Sequence, residues 1–209
     1  MKITILQQNI AWAEPEVNCS HAGKMISENP GSDIYVLPEM FSTGFAVNPK
    51  GIAESNGYSL RWMTRTAKAT GAVIAGSVAT EENGKYYNRF YFVKPDGKYT
   101  KYDKRHLFTY GGEDKEFTAG DERVVVEWKG LRILLEVCYD LRFPVWSRNR
   151  GDYDIIIYVA NWPASRKAAW DTLLRARAIE NQCFLVGVNR VGVDRICSYS
   201  GGSAIINAY

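Results

Sequence analysis

Histidine is nearly absent from this chain. Only His21 and His106 occur among 209 residues, too few imidazoles for a zinc site, and the four cysteines do not make up the deficit. Cys19, Cys138, Cys183 and Cys197 show no C-x-x-C spacing and no dense pattern. They read as free thiols in a reducing, cytoplasmic compartment. Excess charge is also lacking. A net charge of +3 with scattered basic residues argues against nucleic acid or a membrane surface as partner. No apolar run approaches the roughly 18 residues that a membrane span needs. The opening "MKITILQQN" is cut short by Gln7, Gln8 and Asn9, which makes it a strand rather than a signal peptide. No Pro/Gly/Ser-rich linker, internal repeat or low-complexity segment divides the chain, so one domain over residues 1–209 is expected.

What is present is ordinary core material, 46% hydrophobic and 23% charged, arranged as short β-rich runs alternating with amphipathic helices. "KITILQQN" is a first strand, followed by a helix over residues 17–28. "DIYVLPE" (33–39) and "GAVIAGSVA" (71–79) are continuous apolar strands of the kind buried on both faces, with a helix near 58–69 between them. "ENGK" (82–85), "KPDGK" (94–98) and "EWKGLR" (127–132) carry hairpin-turn signals. Further on come a helix near 143–150, the strand "YDIIIYVAN" (153–161) and a long helix from about Arg166 to Gln182. The strand "CFLVGVNR" (183–190) follows, and "SAIINAY" begins another. Strand–helix alternation interrupted by hairpins predicts an α/β fold of mixed sheets with helices packed outside them. Residues 40–57, with Gly44, Pro49 and Gly51, form the longest loop.

Three chemically useful residues stand at strand ends. Glu39 closes "DIYVLPE", Lys104 follows the β-rich run around Tyr99 to Tyr102, and Cys138 closes "RILLEVC". Ends of strands in α/β sheets are where sites are assembled. A carboxylate can take the proton of a thiol, and an ammonium can hold the oxyanion formed when sulfur attacks a carbonyl. The plainer alternative makes Glu39 a turn cap, Lys104 a solvated charge beside Arg105 and Cys138 a small core hydrophobe.

Five segments in order, "LPEMFSTGF", "YDKRHLF", "VCYDLRFP", "VANWPASR" and "RARAIENQ", resemble the nitrilase superfamily of carbon–nitrogen hydrolases. Within it the likeness is greatest to the omega-amidase branch. The resemblance covers nearly the whole chain. It implies a four-layer α-β-β-α sandwich and places the catalytic Glu, Lys and Cys on Glu39, Lys104 and Cys138. It implies a second glutamate that helps position substrate and lysine, on Glu113 in "GGEDKEFTAG" or on the nearby Glu116. It also puts Cys138 at a sharp strand-to-helix turn, with the Tyr139 N–H as a further oxyanion donor. The implied activity is hydrolysis of a small linear amide, the omega-amide of a dicarboxylic or 2-oxo acid, to acid and ammonia through a thioester. No metal or organic cofactor is implied, and a homodimer through helices near the active-site side is.

The remaining residues of interest have competing readings. Arg166 in "NWPASR" is either the cation that fixes a substrate carboxylate or an exposed residue at the start of the long helix. Trp162 and Phe41 line the pocket or belong to the core. Asp140 and Arg142 are expected to brace the nucleophile turn by charge pairing. Arg175, Arg177 and Glu180 stand at helical spacings that favour intrahelical pairs, and His106 reads as a hydrogen-bonded structural group rather than half of a Cys–His dyad. "GGSAIINAY" reads as entry into a hairpin whose return strand is absent, so relative to the family the chain looks shortened at its C-terminus. That leaves two rival functions, an inactive binding or scaffold protein on the same fold, and an amine-using acyl transferase.

Overall fold

A computed structural model describes residues 1–209. The first half of the chain builds a five-stranded sheet in the order β1 (Ile3–Ile5), β2 (Ile34–Val36), β3 (Val73–Glu82), β4 (Lys85–Val93) and β5 (Tyr99–Asp103). The first three strands run parallel and the last two are antiparallel additions. Helices α1 (Pro15–Glu28) and α2 (Tyr58–Thr70) supply the crossovers. The second half builds another five-stranded sheet, with β6 (Val125–Trp128), β7 (Leu131–Val137), β8 (Ile155–Ala160) and β9 (Phe184–Asn189) as neighbours in that order. Between them lie α3 (Pro144–Ser147) and α4 (Lys167–Asn181). A hairpin of β10 (Val191–Val193) and β11 (Ser198–Ser200) stands apart, and β12 (Ala204–Ile206) returns to pair with β9.

The hairpin signals act where they were expected. Asn83 and Gly84 both take positive φ, 54° and 73°, the backbone of a type I′ turn, and β3 pairs with β4 from Glu82↔Lys85 onward. Lys129 and Gly130 (φ 49° and 75°) make the same turn between β6 and β7. Helix α1 begins two residues earlier than its apolar period suggests because Pro15 is preorganised for a first helical position. The helix expected near 143–150 shrinks to Pro144–Ser147. The Asn149 side chain binds the Tyr153 and Asn181 carbonyls and Gly151 turns at φ 75°, which ends it. The β10–β11 hairpin and two 3₁₀ turns, Thr109–Gly111 and Glu113–Lys115, have no counterpart in the sequence pattern.

The layers follow from which faces are apolar. Val36, Ala75, Phe90 and Phe92 of the first sheet share one buried cluster with Ile133, Leu135, Ile157 and Val159 of the second, so the sheets pack face to face. The outer face of the first sheet (Tyr35, Leu37, Ile74, Val78) meets Ala22 and Ile26 of α1 and Met63 and Ala67 of α2. Trp170, Leu174 and Ala178 of α4 belong to the central cluster with the second sheet. At Gly187 a Cβ would sit 2.8 Å from Leu174, which is why that strand position carries no side chain. The result is the four-layer α-β-β-α sandwich. Its helices include none long and apolar enough to cross a membrane, and all four cysteines are free.

Candidate active site

Four strands of the two sheets deliver their last residues to one place. Glu39 follows β2, Lys104 follows β5, Cys138 follows β7 and Asn161 follows β8. Lys104 and Glu39 are 0% exposed. The Lys104 ammonium donates to Glu39 Oε1 at 3.0 Å and to Glu113 Oε2 at 2.8 Å. One cation therefore lies between two carboxylates, and the third ammonium N–H remains for another acceptor. Burial alone would lower the Lys104 pKa, but Glu113 and Glu39 outweigh it and raise it above the ordinary lysine range. Burial raises Glu113, an effect the ammonium offsets only in part.

Each carboxylate is fixed by further donors. Asn88 of β4 donates to Glu39 at 2.7 Å and to Glu113 at 3.0 Å, while Ser77 of β3 donates to Asn88 Oδ1 at 2.9 Å. The Asn161 N–H reaches Glu39 Oε2 at 2.8 Å, and its side-chain amide holds the Glu39 carbonyl at 2.6 Å. Phe108 N–H donates to Glu113 at 2.6 Å. Buried ions are tolerated only when so completely paired and hydrogen-bonded.

Cys138 sits at the abrupt strand-to-turn junction that the resemblance implied. It takes φ +46°, costly for a residue with a Cβ, and leads at once into the 3₁₀ turn Cys138–Arg142. Asp140 holds that turn. It accepts from Val137 N–H (3.0 Å), Tyr102 hydroxyl (2.8 Å), His106 N–H (2.9 Å) and His106 Nδ1 (2.8 Å). From behind, Arg177 of α4 donates to the Leu141 carbonyl at 2.7 Å and pairs with Glu180 at 2.9 Å. Burial, followed by the Glu39 charge, pushes the Cys138 thiol well above its ordinary pKa, with Lys104 opposing. That direction favours the protonated thiol at rest.

The thiol faces a cavity of about 250 Å³ lined by Phe45, Phe108, Tyr110, Tyr139, Trp162 and Tyr199 among others, with the guanidinium groups of Arg142 and Arg166. Arg166 stacks over Phe108 and Tyr110 (5.0 and 5.1 Å), and Arg142 over Trp162 (5.1 Å). Tyr139, Trp162 and Arg166 thus line the pocket. Two expectations are corrected. Phe41 is fully buried among the residues under α1 and α2, against Trp62, and does not line the cavity. Its place is taken by Phe45, on the far side of the turn at Gly44. Glu113 is fully buried, pairs with Lys104 and lies outside the cavity lining. Glu116 is exposed, so the second carboxylate is Glu113.

Arg142 also differs from expectation. Asp140 braces the turn through hydrogen bonds without Arg142, which is exposed and turned to the pocket. His106 stacks on Phe143 at 3.7 Å and serves Asp140 rather than the thiol. Several site residues gave no sequence signal. Asn88 lies in the middle of a strand, Asn161 at the end of another, and Asp194, Ile196, Cys197 and Tyr199 reach the pocket from the unforeseen β10–β11 hairpin.

Fold and site together define a four-layer α-β-β-α hydrolase whose pocket opens over a cysteine. The carbon–nitrogen hydrolase family profile matches residues 2–209, and the chain belongs to that family, within the nitrilase superfamily. It is 49% identical over 209 residues to the omega-amidase YafV of Yersinia enterocolitica, covering 100% of this chain and 82% of that protein. It is 36% identical over 214 residues to the 2-oxoglutaramate amidase of Bacillus subtilis, covering 99% and 83%. Among solved structures it superposes on XC1258 of Xanthomonas campestris with a TM-score of 0.96 and 44% identity. The match covers 100% of this chain and 83% of that one, a superfamily protein with an arsenic adduct in its active site.

Proposed function

We propose that the protein hydrolyses the omega-amide of a short dicarboxylic or 2-oxo acid, such as 2-oxoglutaramate, to the acid and ammonia, with Cys138 as nucleophile. The observation that carries this is the fully buried row Glu39–Lys104–Glu113 beside a strand-end thiol. A scaffold protein would have no use for three such ions, whose desolvation costs several kcal/mol each before pairing.

Glu39 takes the Cys138 proton as sulfur attacks the amide carbon. The Lys104 ammonium and the Tyr139 N–H stabilise the tetrahedral oxyanion, each such preorganised donor being worth about 3–4 kcal/mol. Collapse of the intermediate breaks the C–N bond, and Glu39 returns the proton to the leaving nitrogen, releasing ammonia and leaving a thioester. Glu39 then takes a proton from water, hydroxide adds to the thioester carbon, and sulfur departs with the proton that Glu39 gives back. The carboxylate end of the substrate lies against Arg166 and Arg142, whose stacking on aromatic rings limits the freedom lost on binding. The chain acts as a cytoplasmic homodimer, with exposed Val145 on α3 and Ile179 on α4 offering apolar contact, and sedimentation tests this.

The deciding experiment is ammonia release from 2-oxoglutaramate, glutamine and propionamide by the wild type and Cys138→Ala. Hydrolysis by the wild type, strongest for the 2-oxo acid amide and lost in Cys138→Ala, is expected. Full activity in Cys138→Ala would remove the mechanism, and a preference for propionamide would remove the substrate assignment alone.

A further inference from the structure

One carboxyl group with no part in these steps lies directly beneath the nucleophile turn. Glu136 is the penultimate residue of β7, two before Cys138, and is 0% exposed. Neither of its oxygens has a hydrogen-bond partner in the protein. The strand register sets it opposite Tyr158 of β8. The Tyr158 hydroxyl, Ser147 Oγ of α3 and Arg177 Nε of α4 are likewise buried without partners. The ionisable groups that bear on Glu136 are Asp140, Tyr102, Arg123, Tyr153, Tyr158 and Arg177. The terminal nitrogens of Arg177 bind Glu180 and the Leu141 carbonyl, and Arg123 pairs with Asp152 and the Trp146 carbonyl.

Asp140 accepts from the Val137 N–H, the Tyr102 hydroxyl and the His106 N–H, so it is the hydrogen-bond acceptor of the two neighbouring acids. A charge on Glu136, fully buried and bonded to no donor, is the least favourable state available to it.

We propose that Glu136 is held as a neutral carboxylic acid and acts as a positioning residue, its proton directed at Asp140 so that the turn carrying Cys138 is clamped from below. The clamp acts from within the same strand end whose Val137 N–H already binds Asp140. It fixes a backbone at positive φ, a conformation that surrounding contacts must over-determine to persist. Burial and the Asp140 charge both push Glu136 well above the usual carboxylate range, the same direction.

Two measurements test this without reliance on activity. Infrared difference spectra of wild type against Glu136→Gln at neutral pH should contain a protonated-carboxyl carbonyl stretch that the variant lacks. A carboxylate difference band in its place would overturn the proposal. Chemical denaturation across pH gives the second. The native state keeps a proton that the unfolded chain releases above the ordinary glutamate range, so wild-type stability should fall relative to Glu136→Gln as pH rises from about 5 to 8. Parallel profiles would overturn it. Kinetics then address position. Glu136→Gln keeps an N–H donor and should retain kcat within about threefold. Glu136→Leu has none and should lose kcat about ten- to hundredfold at unchanged KM, as misplacement of the nucleophile predicts. Wild-type kcat in Glu136→Leu would show that the turn needs no clamp. Should Glu136→Leu not fold, the spectra and the pH profile of Glu136→Gln decide the matter.

Discussion

Replacing Glu39 by Gln should move two reactions of the same sulfur in opposite directions. In the wild type, burial and then the Glu39 charge hold the Cys138 thiol protonated, against the pull of Lys104. A like charge at contact range moves a pKa by about 1 to 3, so removing it should bring the thiol down by about that amount. While the pKa stays above the assay pH, the thiolate fraction rises about 10- to 1000-fold. Sulfur nucleophilicity falls as its basicity falls, with a Brønsted exponent of about 0.4–0.5. The net rate with iodoacetamide should therefore rise about 3- to 50-fold. Amide hydrolysis also needs a proton delivered to the leaving nitrogen, which Gln cannot supply. Loss of a general acid–base group costs about 10²–10⁴ in rate.

Local geometry permits the experiment. The amide oxygen in Glu39→Gln can still accept from Lys104 and Asn88, as Glu39 Oε1 does at 3.0 and 2.7 Å. The new NH₂ would oppose the Asn161 N–H that now donates to Glu39 at 2.8 Å, a mismatch worth about 1–3 kcal/mol of stability. Alkylation should be followed by intact mass on a Cys197→Ser background. Cys19 and Cys183 are buried, but Cys197 shares the cavity. Ammonia release is measured on the same samples. If alkylation falls together with hydrolysis, proton removal by Glu39 outweighs its field, and the reasoning that the Glu39 charge suppresses the thiolate is refuted.

Other perturbations follow from the same contacts. Arg166→Ala and Arg142→Ala should each raise KM for a carboxylate-bearing amide far more than for propionamide. A lost charge-assisted bond of about 2–3 kcal/mol corresponds to a selectivity change near fiftyfold, and equal effects on both amides would remove that arginine from the substrate site. Arg177→Leu deletes the donor to the Leu141 carbonyl and should lower Tm by roughly 5–10 °C; an unchanged melting curve would refute the bracing role. Gly76→Ala places a Cβ 2.8 Å from Leu37 Cβ, in the segment that leads to Glu39. The shift should cost kcat about tenfold or more, and full activity would show that the segment absorbs it.

The legible part of the molecule is the part written locally. Asn83–Gly84 and Lys129–Gly130 announce turns because positive φ restricts which residues serve there. "DIIIYVA" announces a buried strand because only a two-sided core tolerates such a run. Glu39, Lys104 and Cys138 were visible as reactive residues at strand ends, and the motif order joined them. Asn88 was not visible. It lies mid-strand in "KYYNRFYFV", and only the pairing Ala79↔Asn88 and the arrival of Glu39 from 49 residues away make it a site residue. Phe41 and Phe45 stand in one short segment, and nothing local tells which faces the helices and which the pocket. The backbone turn at Met40 (φ 41°) and Gly44 (φ 76°) decides it. The β10–β11 hairpin carries no hairpin-turn signal in the sequence; its pairing is set by contacts such as the Tyr199 hydroxyl donating to Asp194 at 2.7 Å.

The electrostatics explain why so many partners surround three reactive groups. A thiol beside a lone ammonium would ionise at rest and be open to any electrophile that enters the cavity. Burial, reinforced by two carboxylates around one ammonium, favours the protonated thiol. In the mechanism proposed above the proton rests on sulfur and passes to Glu39 when a carbonyl arrives to take the sulfur electrons. Glu39 is fully buried, and a buried carboxylate needs donors on every side. Lys104, Asn88 and the Asn161 N–H supply them from both sheets. The face-to-face packing of the two sheets is therefore itself a condition of the chemistry. Glu39, Lys104 and Asn88 come from the first sheet, and Cys138 and Asn161 from the second. A perturbation that slides one sheet on the other should weaken the base and uncover the thiol together.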